Sequence, residues 1–282
     1  MSKFHIYIRV VFVAALLFAG CSDESGPVMI ALKFRPGQLF ISESVRNSDF
    51  RKYVEDSLIE SYPCTEYVQF TEKTLDTLPG GKGLLQWTTE MSRLQPDSLD
   101  PKVTDTVRWS MTINTVQHAD GYNEFYSIAD SSRLSLIDYY KRYLEQMSLI
   151  LPDEPVGVGY EWDHTFKVIL KNGEIKDASN HYKITGFEKK MGYDCAVIDR
   201  DAVLILPLQY VTQDSSATLI QLTHVKFKSR TYLAYKESAI VHEQSDFDEK
   251  TEGTWYEPGK ILHFRTESKG TSTSNMTRLT NP

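Results

Sequence analysis

The sequence predicts an α+β protein that is mainly antiparallel β, with two curved open sheets, or half-barrel-like lobes, and a central amphipathic helix. Three observations predict this class. Thr, Tyr, Val and Phe recur in runs that Gly-, Pro- or Asp-rich breaks separate, as is typical of strands and turns. One segment in the middle of the chain has apolar residues at helical spacing instead. Strand-like sequence resumes after it, so the helix divides the chain into two β-rich parts.

The first 20 residues predict a signal peptide. Lys3 and Arg9 form a short basic region, the apolar run 10–18 follows, and two small residues lead to Cys21. This order resembles the end of a bacterial lipoprotein signal peptide, which implies cleavage before Cys21 and a lipid on its thiol. By the same resemblance, Ser22 in place of Asp favours the outer membrane of the cell envelope. The alternative is an ordinary signal peptide or a short anchor helix in which Cys21 has no special role.

Removal of residues 1–20 leaves 262 residues with 29 basic and 38 acidic side chains, a net charge near −9. An acidic surface repels phosphate backbones, so we expect no nucleic-acid partner. No second apolar stretch approaches the roughly 20 residues of a membrane-spanning helix, so the N-terminal lipid is the expected membrane contact. The expected organisation is a tether (21–27), a first β lobe (28–130), a linking helix (131–152), a second β lobe (153–269) and a flexible tail (270–282).

Turn residues mark the hairpins of the first lobe. Pro36-Gly37 separates strand-like runs 28–34 and 38–44, and the Pro-Gly-Gly sequence at 79–81 separates runs 66–74 and 84–91. Alternation of apolar and polar residues predicts a half-buried strand over 106–116. Residues 49–60 fit either a helix or a strand.

The central helix is predicted by apolar residues at spacings of three and four, which place them on one face. Ser131 or Ser132 is the expected N-cap and Pro152 the expected stop. We expect Tyr140, Leu144 and Met147 to face either a ligand or the core. The apolar face consists of Leu134, Ile137, Tyr140, Leu144, Met147 and Leu151.

In the second lobe, Asn172-Gly173 predicts a hairpin between runs 160–170 and 174–184, since Asn-Gly is a strong turn signal. Asp199 and Asp201 are interpreted as turn residues between strands 193–199 and 203–211. Further strands are expected over 218–228, 231–241 and 253–266, the last broken at Pro258-Gly259.

Several phrases together resemble a family of uncharacterised bacterial exported proteins and lipoproteins. They are Leu32-Lys33-Phe34, the Leu-Pro-x-x-Pro-Val-x-Val-Gly phrase at 151–159, Tyr182–Gly186, Asp194–Ile198, and a terminal Gly-x-Trp-x-x-Pro-Gly-Lys-Ile at 253–261. That family is similar in turn to half-barrel lipoprotein carriers. The resemblance implies a curved sheet and supplies no catalytic residue.

No motif in the sequence indicates a catalytic, metal or cofactor site. Cys64 and Cys195 either form a disulfide or remain two unpaired thiols. The sequence has no His-Glu-x-x-His, Cys-x-x-Cys or calcium-loop pattern, so we expect no metal and no cofactor. A spatial cluster is left open only for five histidines of the second lobe. These are His164, His181, His224, His242 and His263.

These observations favour a non-catalytic envelope lipoprotein that binds a hydrophobic ligand, a lipid or a protein partner. Aromatic residues make up 12% of the chain, and a concave sheet lined by them could hold an apolar molecule. They could equally fill the core and stabilise cross-strand pairs. A structural or assembly lipoprotein without a small ligand is therefore the alternative, and an enzyme or metal-binding protein using the second-lobe histidines is the third hypothesis.

Overall fold

The computed structural model describes residues 26–96, 104–130, 136–212 and 216–281. The predicted signal peptide, Cys21 and most of the predicted tether lie outside the described residues. So do Leu134 and the predicted N-caps Ser131 and Ser132.

The described residues form eleven strands and one helix. The strands are β1 (Leu39–Val54), β2 (Ser57–Leu78), β3 (Lys82–Pro96), β4 (Thr104–Gln117), β5 (Asn123–Ile128), β6 (Glu161–Ile169), β7 (Ile175–Lys190), β8 (Tyr193–Val211), β9 (Thr218–Ala234), β10 (Ala239–Glu257) and β11 (Lys260–Thr280). The helix, α1, spans Ile137–Met147 and lies between β5 and β6 in the chain.

All eleven strands belong to one antiparallel sheet, in the order β5-β4-β3-β2-β1-β11-β10-β9-β8-β7-β6. The prediction of a mainly antiparallel β protein is confirmed, whereas the division into two sheets is wrong. The first and last strands join the two halves, because β1 pairs with β11 from Leu39↔Thr280 to Val54↔Phe264. The segment from Gly270 is consequently the second half of β11 and not a free tail.

The strand boundaries correct several local predictions. Residues 28–38 form no strand beyond a bridge between Val28 and Val156, because Ile30 turns into the core beneath β7 and β8. Residues 49–60 form the β1–β2 hairpin, whose turn residues Glu55 and Asp56 both have positive φ. β9 runs past residue 228 to Ala234, and β10 covers 239–257, which includes residues 242–252, for which the sequence predicts no strand.

Asp199 and Asp201 are not turn residues, since β8 continues through both. Their carboxylates lie on the outer face of the sheet, where Asp199 accepts two hydrogen bonds from Arg230 and Asp201 pairs with Lys228. Charges alternate in sign along this row, which runs Glu161, Lys183, Asp199 and Arg230 across β6 to β9. Such alternation of charge is typical of a solvated sheet face.

The helix α1 packs on the opposite face of the sheet and is shorter than predicted. Leu144 is 2% exposed, and Met147 packs against a core that includes Leu204, Phe227 and Phe247. The helix ends at Met147, four residues before Leu151, because Ser148 has an extended conformation (ψ 133°). No helix among the described residues is long and apolar enough to cross a membrane.

Candidate functional site

The C-terminal end of α1 is fixed to the sheet by buried polar side chains. Arg200 on β8 donates hydrogen bonds to the carbonyl oxygens of Gln146 (2.8 Å) and Met147 (3.2 Å), and to Asn180 Oδ1 (2.7 Å). The last carbonyl groups of a helix carry partial negative charge, so a guanidinium there is well placed. Burial nevertheless lowers the pKa of Arg200 from its ordinary value. These bonds hold the C-terminal end of the helix on the sheet.

The chain that follows α1 is held by two aromatic side chains. Tyr182 donates a hydrogen bond to the Ser148 carbonyl oxygen (3.0 Å), and the Trp162 indole donates to the Ile150 carbonyl oxygen (2.8 Å). The two rings stack with centroids 5.0 Å apart. Trp162 of β6 and Tyr182 of β7 thus pack against the chain that follows α1.

Gln146 inserts between β7 and β8, where the two strands separate. Its side chain is 1% exposed, its Nε2 donates to the Ile205 carbonyl oxygen (2.9 Å), and its Oε1 accepts from the Ile205 N–H (2.8 Å). Pairing of β7 with β8 extends only from Lys190↔Tyr193 to Ser179↔Val203. The amide side chain thus satisfies the first backbone groups of β8 that β7 leaves without a partner.

A cavity of about 1030 Å³ lies beyond Gln146, at the end of the sheet where the β1–β2, β6–β7, β8–β9 and β10–β11 hairpins turn. The N-terminal part of α1, with Tyr139 and Arg142, forms one wall. Aliphatic residues and residues with ionisable side chains both line the cavity, which suits an amphipathic molecule. Its aliphatic lining residues are Ile169, Leu170, Leu208, Val211, Ile220 and Leu222, and its ionisable ones include Glu55, Asp56, Lys171, Glu252, His263 and Arg265.

A compact ion-pair network lies on the same face of the sheet as α1. Arg46 on β1 forms an ion pair with Glu249 on β10 (2.9 Å) and lies 3.7 Å from the centre of the Phe247 ring. Glu66 accepts from Arg93 (Nε to Oε1, 2.7 Å) and lies 3.7 Å from Arg46 Nε. These charges compensate one another, so the network links β1, β2, β3 and β10.

The three α1 residues that the sequence predicts to face a ligand or the core lie in different environments. Leu144 is a core residue, and Met147 packs against the sheet. Tyr140 is half-buried and meets Tyr139 edge-on at 5.8 Å. The residue of α1 that lines the cavity with an aromatic ring is Tyr139, and burial raises its pKa above the ordinary value.

Cys64 and Cys195 are both free thiols, so the disulfide alternative is wrong. Cys64 lies on β2 and Cys195 on β8, and four strands separate β2 from β8 in the sheet. A disulfide needs Cα atoms within roughly 7 Å of each other, which this separation prevents. Burial raises the pKa of both thiols.

The five second-lobe histidines lie on five different strands, β6, β7, β9, β10 and β11. Three of them have local polar partners: His181 contacts Asp163 (2.8 Å), His242 contacts Asn275 (2.7 Å) and His263 contacts Thr254 (3.0 Å). Within residues 26–96, 104–130, 136–212 and 216–281, no three His, Cys, Asp or Glu side chains are placed to hold one metal ion.

No sequence pattern indicates the roles of Gln146, Asn180 and Arg200, or the separation of β7 from β8. Gln146 lies outside the apolar stripe of α1, where a polar residue is expected to face solvent. Arg200 stands between Asp199 and Asp201, in a stretch whose composition predicts a turn. No local pattern distinguishes such residues from ordinary surface positions.

No family model matches the chain, and no curated protein matches it. Among solved structures, an exported protein with a YmcC-like fold from Bacteroides fragilis has 12% identity and a TM-score of 0.29, over 89% of this chain and 99% of that one. The attachment invasion locus protein Ail of Yersinia pestis, in complex with the heparin analogue sucrose octasulfate, has 6% identity and a TM-score of 0.16, over 85% of this chain and 99% of that one. Both TM-scores are too low to carry an argument about this chain.

Proposed function

We propose that this chain is a lipid-anchored protein of the bacterial cell envelope that binds an amphipathic molecule at the end of its sheet and does not convert it. The cavity beside the N-terminal part of α1 carries this proposal. Its volume of about 1030 Å³ lies near the upper end of the range of small-molecule sites. The lipobox-like sequence before Cys21 supports the anchor, and the signal sequence supports export.

A binding role fits the way in which the buried polar groups at the C-terminal end of α1 are engaged. Arg200, Asn180 and Gln146 are bonded to the end of α1 or to β8, and each serves to fix the helix. The ionisable residues of the cavity come from separate hairpins and from α1, so they can orient the polar end of a ligand.

Dye binding by the purified full-length protein tests this proposal, with anilinonaphthalene sulfonate as the probe. Leu208→Arg introduces a charge into the aliphatic wall and should weaken dye binding by about tenfold or more. Val158→Arg is the matched control, because Val158 is 67% exposed and does not line the cavity. Equal dye binding by the wild type and both variants would contradict the cavity as the binding site.

An assembly role without a small ligand is the second candidate, and one observation favours it. Several hairpins at the cavity end carry pairs of exposed apolar side chains, which is typical of protein contact surfaces. Ile169 and Ile175 are 60% and 61% exposed and face each other across the β6–β7 hairpin. The corresponding exposed residues of other hairpins are Leu58, Ile59, Val211, Ile220, Tyr256 and Ile261.

A further inference from the structure

We infer that the open edge of β8 binds an extended polypeptide segment, which adds to the sheet as a further strand. This inference rests on the proposed binding function of the cavity and names the class of its ligand.

The edge exists because β8 is longer than its pairing with β7. The β7–β8 ladder stops at Ser179↔Val203, whereas β8 continues to Val211. On its other side β8 pairs with β9 without a register shift, from Cys195↔Ala234 to Val211↔Thr218. The last eight residues of β8 therefore have a strand partner on one side only.

The direction of the backbone groups along this edge follows from the strand geometry. In an antiparallel ladder, successive residues direct their N–H and C=O groups alternately to the two neighbouring strands. Ile205 directs both groups away from β9, since both are bonded to Gln146. With no register shift, Pro207, Gln209 and Val211 direct their backbone groups to the same side.

These outward groups have no partner among the described residues. Thr212 N–H donates to Ala217 on the β9 side, as the alternation requires. The outward groups that remain are the N–H groups of Gln209 and Val211 and the carbonyl oxygens of Pro207, Gln209 and Val211. Pro207 has no N–H to offer, which shortens the edge and limits pairing with unrelated strands.

The residues that line the cavity surround this edge and could contact the side chains of a bound peptide. Pro207, Gln209 and Val211 line it together with Ile169 and Leu170 of the β6–β7 hairpin and Tyr139 of α1. Gln146 bonds the backbone of Ile205, and a peptide laid along the edge would bond the outward backbone groups that follow it on β8. Strand addition uses main-chain hydrogen bonds for affinity and pockets for alternate side chains for selectivity.

The backbone groups favour a polypeptide over a lipid chain. An acyl chain in this position would cover the outward N–H and C=O groups without bonding them, and burial of an unpaired polar group is costly. A peptide in the extended conformation presents matching groups at every second residue, roughly 6.6 to 6.8 Å apart. The expected ligand is therefore an extended segment with apolar side chains on alternate positions.

A displayed library of random dodecapeptides, selected on the full mature chain, tests the inference. Gln209→Pro removes one donor of the edge, and Pro207 shows that the strand tolerates proline in this register. Gln209→Thr is the matched control, since it changes the side chain and keeps the N–H. We expect peptides with alternating apolar residues to be enriched on the wild type and on Gln209→Thr, and to bind Gln209→Pro at least about tenfold more weakly.

Methylation of single peptide nitrogens in an enriched peptide supplies a second readout that needs no protein variant. Methylation of a peptide nitrogen whose N–H faces β8 should abolish binding. Methylation of the intervening nitrogens, whose N–H groups face away from β8, should not. If circular dichroism shows that Gln209→Pro is unfolded, Val211→Pro takes its place.

Two outcomes would overturn the inference: no peptide enriched on the wild type over the proline variant, or binding indifferent to the position of the methyl group. Retained binding of anilinonaphthalene sulfonate in either case would leave the proposed cavity function standing. Absence of both peptide and dye binding would contradict the proposed function itself.

Discussion

Gln146 and Ile205 exchange two hydrogen bonds, at 2.9 Å and 2.8 Å, in the way that two paired strand residues do. One side chain of α1 thus takes the place of a backbone partner at the point where β7 leaves β8. This relationship connects the helix with the point where β7 stops pairing with β8 and with the cavity beyond it. Gln146 bonds the first outward backbone groups of β8 that β7 leaves unpaired, and the outward groups that follow have no strand partner among the described residues.

Gln146→Ala should lower the free energy of unfolding by about 2–6 kcal/mol. Truncation leaves the N–H and C=O of buried Ile205 without partners, and each unsatisfied buried group costs about 1–3 kcal/mol. Urea denaturation followed by circular dichroism measures the change. Lys141→Ala, on the exposed side of the same helix, is the control and should stay within about 0.5 kcal/mol of wild type. A Gln146→Ala variant as stable as the control would mean that α1 is not anchored through this pair.

Leu144→Ala should cost about 2–5 kcal/mol, as large-to-small changes in a core do. Leu144 is 2% exposed, so the loss of its side chain leaves a space that the surrounding side chains fill only in part. Denaturation of this variant beside Lys141→Ala again provides the comparison. A cost below about 0.5 kcal/mol would place the helix on the surface and contradict its packing.

The single hairpins of this fold were predictable from the sequence, whereas the pairing between strands distant in the chain was not. Hairpins at 79–81, 172–173 and 258–259 carry Pro, Gly or Asn in their turns, and these residues favour the turn conformations whatever the distant chain does. Pairing of β1 with β11 joins residues more than 200 positions apart, and no local pattern encodes it. Asp199 and Asp201 suit a turn by composition, yet Arg230 and Lys228 compensate them on a continuous strand.

Of the candidate site, only the apolar face of α1 was predictable from the sequence. The apolar stripe of α1 identified Leu144 and Met147, which indeed pack on the sheet. The cavity and the open edge of β8 depend on where β7 stops pairing, which is a property of the whole sheet. Sequence periodicity describes single elements and cannot report the register between them.

Thiol titration should find two free cysteines in the unfolded mature chain and very slow reaction in the folded one. Cys64 and Cys195 are 5% and 1% exposed, and burial raises the pKa of both, so little reactive thiolate reaches the reagent. Ellman's reagent with and without denaturant, in the absence of reductant, measures both states. Absence of free thiol in the denatured chain would show a disulfide and contradict the strand separation.

Cys21→Ser should move the protein from the membrane fraction to the soluble envelope fraction. The sequence before Cys21 resembles a lipobox, and removal of the thiol removes the proposed site of lipid attachment. Fractionation with a high-salt wash and immunoblotting measures the change, and Ser22→Ala is the control for altered processing. A Cys21→Ser variant that stays with the washed membranes would show that something other than a lipid holds the protein there.

Glu72→Gln should remove part of the pH dependence of stability between about pH 4.5 and about pH 7. Burial raises the pKa of Glu72 from 4.5 to about 7, while the neighbouring Trp87 indole opposes that shift. In this window the folded chain holds a proton that the unfolded chain has released, so wild-type stability falls as pH rises. Glutamine keeps the size of the side chain and cannot ionise. The stability of Glu72→Gln relative to wild type should therefore rise across the window and level off above about pH 7.

Urea denaturation at intervals from about pH 4 to about pH 9 measures this relative stability. Glu43→Gln, at an exposed residue on β1, is the control. If both variants differ from wild type by a constant amount at every pH, Glu72 does not titrate in the folded protein within this range.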